Sequence, residues 1–359
     1  MALHAEQIAD IVNSTRRRVR KNRWTDLMTA IRKFTYMPRI LQDEKIRLGG
    51  GRGPEDFVTV RHLGAAHHTG LFAIDQVQTG DVLKKIYSDW KHTTTHWAYE
   101  EREERINSGP EALVDVVLTR RHSALVSLAE LMEESFWVNP TSYTGDDPYP
   151  VWHWIVKWPA GASSPTSGGY LGTNPVDGSG TTYTASAGNL SSSTYPYWAN
   201  WAAQYSNFTP DDVVDKMRKA AEYTNFEPPF DYPELKRGGD DRGIYCNWET
   251  KAELRKVAES MNDNLGFDLG GGQVLFQGTP LMVVPKLDDD ASDPIVGINW
   301  AHFYPYFLEG EWMKETAPLR APYQHRTWVN FIDLTHQTFC HNRREQWVLS
   351  KLSSTDTSS

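Results

Sequence analysis

The chain has 359 residues, 39% hydrophobic and 23% charged, enough to bury the core of one large domain or two ordinary ones. Its formal charge of −9 excludes a generally basic nucleic-acid binder, and two cysteines, Cys246 and Cys340, exclude a disulfide framework and fit a reducing compartment. No apolar run approaches the roughly 20 residues needed to cross a bilayer, and the opening MALHAEQIADIVNS lacks the charged-then-apolar order of a signal peptide. The chain therefore reads as a soluble protein of the cytoplasm, or of something assembled there. Aromatic content of 12%, with 14 Trp, implies large β-rich cores, extensive subunit contact, or both.

Residues 1–47 read as helical but poorly amphipathic, with a basic series that includes Arg16, Arg18, Arg23 and Arg39. A basic arm on an acidic body points to contact with acid, whether neighbouring subunits, a scaffold or packaged nucleic acid; the plainer reading is a solvated helix face. Residues 48–106 open on Gly49–Pro54, a flexible joint without the Gly-Lys-Ser/Thr ending of a phosphate loop. Phe57–Val60 and Leu71–Ile74, the latter containing Phe72, read as strands with Gly64, Gly70 and Gly80 as turn signals. His62, His67 and His68 have no Cys or carboxylate at a ligand spacing and read as polar loop histidines. Lys84–Arg105 reads as one long strand entering a polar segment. This hairpin has too little apolar surface to fold alone and must lie on something else, most plausibly the next subunit.

From Pro110 a long helix is expected, because Pro suits a first helical position and Leu113, Val117, Ala124, Leu128 and Leu131 recur at helical spacing. Val116, Leu118, Leu125 and Met132 widen the stripe into a broad buried face, Arg120-Arg121 lie mid-helix, and Pro140 stops it. At 1.5 Å per residue it spans roughly 40 Å, a spine about which a domain must wrap. His122 is expected buried and hydrogen-bonded, and Glu100-Glu101 and Glu133-Glu134 on solvated faces.

A long hairpin carrying Trp90-Lys91, an Asn107-Ser108-Gly109 break and then a spine helix resembles the front half of tailed-phage major capsid proteins, the Hong Kong 97 fold. The resemblance covers roughly residues 80–350. It implies an α+β fold with an N-terminal arm (1–47), an extended hairpin loop (48–106), a spine helix of the peripheral domain (107–144), a mainly axial domain (145–300), return strands (301–351) and a disordered tail (352–359). It also implies a non-enzymatic shell protein of the virion, built in the host cytoplasm as hexamers and pentamers around double-stranded DNA. Scaffolding, portal and possibly decoration proteins would be its partners, and no cofactor is expected. Candidate inter-subunit contacts are Arg16, Arg18, Arg23 and Arg39 on the arm, Phe57, Phe72, Trp90, Lys91 and Trp97 on the hairpin, and Arg120 and Arg121 on the spine. The start at Met1 and the absence of a leading coiled coil lead us to expect no large internal scaffolding domain.

Beyond the spine, Val151–Trp158 alternates aromatic and aliphatic residues as a strand would, and Pro159–Tyr197, rich in Gly, Ser, Thr and Tyr, reads as a surface excursion that cannot support a core. That stretch also prompts the rival reading of a carbohydrate-binding module. Thr209-Pro210-Asp211-Asp212 starts a helix with Thr209 as N-cap and Val213, Val214, Met217, Ala220 and Ala221 on its apolar face. Ile244–Trp248 reads as a short strand, and Glu249–Leu265 as a helix with Leu254, Val257, Ala258 and Met261 inward. Val274–Phe276 and Leu281–Pro285 form a hairpin, Asp288–Asp290 a solvated acidic turn, and Ile295–Lys314 and Thr327–Lys351 two strand regions, with Arg343-Arg344 leading into a last strand from Gln346. No nucleophile elbow, Cys-x-x-Cys, His-Glu-x-x-His, Walker or dinucleotide fingerprint is present. A hydrolase with an unrecognised motif is the remaining rival.

Overall fold

The computed structural model describes residues 33–41, 46–61, 66–68, 80, 82–106, 110–159, 168–225, 241–261 and 275–352. Before the long helix come strands β1 (Ile46–Leu48), β2 (Glu55–Thr59), β3 (Leu83–Tyr87) and β4 (Lys91–Glu100). After it come β5 (Gly169–Leu171), β6 (Asn200–Tyr205), β7 (Arg242–Cys246), β8 (Leu275–Phe276), β9 (Thr279–Val283) and β10 (Ile295–Asn299). The chain continues through β11 (Phe303–Leu308), β12 (Lys314–Glu315), β13 (Leu319–Arg320), β14 (Thr327–Cys340) and β15 (Trp347–Lys351).

The long helix, Pro110–Trp137, starts on the expected proline and runs 28 residues, about 40 Å at helical rise. Ala124, Leu128, Met132 and Phe136 are buried in one i, i+4 stripe, packed against β4 and a short helical turn at Tyr36–Arg39. The buried face is narrower than the sequence implied. Leu118 and Leu131 point to solvent, as does His122, because the partners cover only one side of the helix.

One sheet is organised around β14, which pairs with β11, β12, β13 and β4; β1 adds to β11 in parallel. The β4–β14 ladder runs from Thr327 opposite Glu100 to His336 opposite Lys91, ten pairs of largely β-branched and aromatic residues. The expected single strand over Lys84–Arg105 is two strands and a helix. The chain leaves β3, passes Ser88–Trp90, re-enters as β4, and turns helical at Glu101–Ile106.

The second sheet has the order β5-β6-β15-β10-β7-β9-β8. Its central strands are buried throughout because both faces are covered. Alternate residues serve two clusters: Ala202, Tyr245, Val296 and Val348 join the main core, whereas Trp201, Ala203, Ile295 and Leu349 pack with Val213, Met217 and Ala220. Gly297 lets the Trp347 ring lie on bare backbone; a Cβ there would sit 2.0 Å from Trp347 Cε2. The last strand, β15, is central to this sheet rather than returning to the sheet beside the long helix.

Val151–Trp154 is one helical turn with all four side chains buried, not a strand, and Pro159–Tyr197 contributes β5 and the buried Leu171, Ala187 and Leu190 rather than a purely superficial loop. Pro210 does open the next helical segment, but Thr209 makes no side-chain cap; its carbonyl accepts from Asp212 and Val213 N–H instead. The following helix is Trp248–Met261, with Leu254 and Val257 inward and Ala258 exposed. Asp288 and Asp289 are exposed in a turn as expected, but the run is also engaged within the chain: Asp288 accepts the Trp248 N–H at 3.1 Å, and the partly buried Asp290 pairs with Lys157. Burial alone would raise the Asp290 carboxyl, but the charge and hydrogen bond of Lys157 outweigh it and hold the carboxyl below its ordinary range. Both cysteines are buried and free, and among the described residues no helix is long and apolar enough to cross a membrane.

Candidate assembly surfaces

The β2–β3 pair forms a separate two-stranded sheet. Asp56, Val58 and Ile86 face the body, while Phe57 (65% exposed) and Leu83 (56% exposed) lie on the outer face. The base is fastened by several bonds. Arg52 pairs with Asp89 at 2.6 Å, Trp90 Nε1 donates to the Gly51 carbonyl at 3.0 Å, and Asn189 Nδ2 donates to the Tyr87 carbonyl at 3.0 Å. Asp56 meets His341 Nδ1 at 2.5 Å, and that bond holds the Asp56 carboxyl below its ordinary range. Gly53 passes so close to the opposite strand that a Cβ would sit 1.8 Å from the Ser88 carbonyl oxygen. The ribbon is thus fastened to the body along one face and open on the other.

Of the sequence-selected contact residues that the structure describes, only Phe57 is free at the surface. Arg120 forks onto Glu103 at 2.8 and 3.0 Å and reaches the Ala98 carbonyl, tying the long helix to the end of β4. Arg121 forks onto Glu315, which also accepts Trp97 Nε1 at 3.1 Å; the hydrogen bond from Arg121 holds the Glu315 carboxyl below its ordinary range. Lys91 donates to the Gly145 carbonyl. Arg39 binds Asp241 and lies over the Trp300 ring at 5.6 Å. These five, with Trp90, are used within the chain. Arg16, Arg18, Arg23 and Phe72, and the strand expected over Leu71–Ile74, lie outside the described residues.

Sequence reasoning missed the anchor of the arm. Glu133, expected on a solvated face, is 1% exposed. Its carboxylate accepts from Thr35 N–H and Oγ1–H, Tyr36 N–H, Met37 N–H and Trp137 Nε1 at 2.6–3.1 Å. The acid thereby satisfies the orphan N–H groups at the start of the Tyr36–Arg39 turn and compensates its positive end. Tyr36 stacks on Phe136 with centroids 4.0 Å apart, so the segment is held by packing as well as charge.

No protein-family model matches the chain, and no curated protein matches it. Solved structures do. The chain is similar to a capsid subunit of the cyanophage A-1(L), with a TM-score of 0.59 at 12% identity over 93% of this chain and 97% of that one. It is also similar to the capsid of a native GTA particle, with a TM-score of 0.56 at 11% identity over 98% of this chain and all (100%) of that one. The fold is the Hong Kong 97-like capsid fold.

Within this capsid fold the junction between the two sheets is held by a second residue that sequence reasoning passed over. Arg343 is fully buried and donates to the Trp154 and Trp198 carbonyls and to Asn200 Oδ1 at 2.7–3.1 Å. Burial lowers its guanidinium to about 10. Beside it, His153 stacks on Tyr149 at 3.9 Å, and burial followed by the Arg343 charge pushes its pKa well below the ordinary value. The remaining concave surfaces are modest. A cleft of about 470 Å³ is lined by Phe208, Trp248, Thr250, Asp293 and Lys351, and no group of three metal-ligating side chains occurs among the described residues.

Proposed function

We propose that this chain is the major capsid protein of a tailed phage, assembling as hexamers and pentamers into an icosahedral shell that encloses double-stranded DNA. The carrying observation is the exposed apolar outer face of the β2–β3 ribbon on a body of capsid fold. An isolated two-stranded hairpin is marginal in water, and its outward Phe57 and Leu83 gain burial only against another molecule. The protein then acts structurally rather than catalytically, resides in the virion after assembly in the host cytoplasm, and needs no cofactor. The long helix and the β14 sheet would serve as the peripheral domain. The seven-stranded sheet would serve as the axial domain at each capsomer centre. The basic arm, fixed at its root by Glu133, would lie across neighbours or toward the packaged DNA, with scaffolding and portal proteins, and possibly a decoration protein, as further partners. Overlapping extensions of this kind would bury an obligate interface above about 2,000 Å².

A saccharide-binding module is less well supported, because Tyr143, Tyr149, Tyr183 and His153 pack on one another rather than forming an open platform. Negative-stain electron microscopy of the chain alone and with a candidate scaffold tests the reading. Closed shells or six-fold rings are expected. A compact monomer under every condition, with residues 55–87 resistant to protease, would overturn it.

A further inference from the structure

The turn between β13 and β14 is built to hold side chains away from the body. Residues 317–326, APLRAPYQHR, contain Arg320, His325 and Arg326 and no carboxylate, on a chain of formal charge −9. Tyr323 is fully exposed (106%) and adopts a φ of +66°, a left-handed conformation uncommon for a bulky residue. The conformation is held by a nested set of backbone bonds, Ala321 N–H to the Thr327 carbonyl, Gln324 N–H to Ala321 and Thr327 N–H to Gln324, at 2.9–3.2 Å. Below it, Arg320 lies over the Trp328 ring at 5.1 Å, and Trp328 Nε1 donates to Glu101. In the isolated chain, holding Tyr323 out gains nothing.

A complementary hollow lies at the other end of the same ladder. Between β4, the long helix and the 142–148 loop is a cleft of about 190 Å³, lined by His92, Thr94, Leu131, Ser135, Asp146 and Asp147 among others. That volume is below the roughly 300–1,000 Å³ of small-molecule sites, and suits one inserted side chain. Leu131, 50% exposed, gives it an apolar wall, and Asp146 and Asp147 are exposed at its side. Neither aspartate has an ion pair among the described residues, nor do Arg320 and Arg326. The tip joins β14 opposite Glu100, and the cleft begins near Thr93, so seven residues of β4 separate them, about 23 Å at 3.3 Å per residue. The tip of a chain therefore cannot fill its own cleft.

We infer that the 317–326 tip of one copy docks into the cleft of a second copy, with Tyr323 against Leu131 and Arg320 and Arg326 facing Asp146 and Asp147. The two patches differ, so the contact is heterologous and can be repeated around a ring. The inference rests on the assembly reading above and names one of its contacts.

The test uses the full chain carrying Tyr323→Cys and Leu131→Cys, treated with a short bismaleimide; the native thiols are buried and should not compete. A ladder of covalent oligomers, absent from either single variant, is expected. Charge reversal gives an independent readout. Replacing Arg320 and Arg326 by Asp, or Asp146 and Asp147 by Arg, should each reduce assembly at least about tenfold through like-charge juxtaposition, and combining them should restore it. Circular dichroism of each variant monomer checks that folding is intact. Particles that form normally without the ladder, or charge reversals that leave assembly unchanged, would overturn the tip contact while leaving the capsid reading standing. A wild-type chain that never associates, and gives no ladder, would overturn both.

Discussion

The β2–β3 ribbon, whose strands carry four charged residues, and the almost uncharged seven-stranded sheet solve the burial problem in opposite ways. In the large sheet the central strands send alternate side chains into two separate clusters, and β6 and β10 are buried along their full lengths. In the ribbon only Val58 and Ile86 find the body, while Phe57 and Leu83 remain outside. Burying two such side chains is worth about 3–6 kcal/mol, and the isolated chain forgoes it. The lesson is a division of labour. One region makes the fold stable, and the other leaves apolar surface that, on the assembly proposed above, is buried only by association.

The largest expected effect falls on the self-sufficient region. Arg343→Met should remove the guanidinium donor from the buried Trp154 and Trp198 carbonyls, leave Asn200 Oδ1 with the Val156 N–H alone, and lower the stability of the monomer by about 3–5 kcal/mol, read as a shift of the urea midpoint. A shift smaller than that of an ordinary surface substitution would mean the sheet junction does not hold the subunit together. Acid should act next. Burial depresses the folded-state pKa of His336 from 6.5 to about 4, and burial with Arg343 nearby depresses that of His153. Below about pH 6.5 the unfolded chain takes up protons that the folded chain refuses, so stability is full above that pH and falls toward pH 4, by roughly 3 kcal/mol for His336. His336→Gln should flatten the slope in that window by about one proton.

Glu133→Gln sharpens the comparison from the arm. An amide has one acceptor oxygen where the carboxylate uses two, so the segment at 33–41 should loosen by about 2 kcal/mol. Hydrogen exchange should rise at Thr35–Met37 while β6 and β10 stay protected; uniform loss across the protein would show that the arm is part of the global unit instead. Phe57→Ser is expected to be the mildest for the monomer, within about 0.5 kcal/mol, yet to reduce particle yield. Equal yields from both proteins would remove the ribbon from the association interface.

Much of this frame was legible in the chain: the long helix, the β8–β9 turn and the β14 region show periodicities long enough to identify. What escaped has a common physical cause. Val151–Trp154 is buried on every side, so its turn leaves no amphipathic trace, and a short bulky run such as Val-Trp-His-Trp fits a strand equally well. Glu133 and Glu134 are chemically identical neighbours. Only one meets Thr35, 98 positions away, a relation no local pattern encodes. Likewise Arg343 is fully buried whereas the adjacent Arg344 lies over Tyr170 and Tyr197. The low-complexity stretch supplies core surface through backbone as well as side chains: Gly188, at φ +64°, is where the Trp154 ring rests, and a Cβ there would sit 3.0 Å from it. Among contact candidates, charge and aromaticity marked residues that stick to something, and for most of them that partner is the same chain.

The placement of β14 and β15 sets a timetable for synthesis. Strand β14 is the hub to which β4, β11, β12 and β13 attach, and β15 lies between β6 and β10. A nascent chain that has released everything up to Arg326 has neither sheet closed and presents long unpaired strand edges. Only when the 327–351 segment emerges can both sheets form, through partners more than 200 positions earlier in the case of β4. The body of the fold is complete only when this segment has been made, so under the proposed function the order of the strands would keep unfinished chains out of a growing shell.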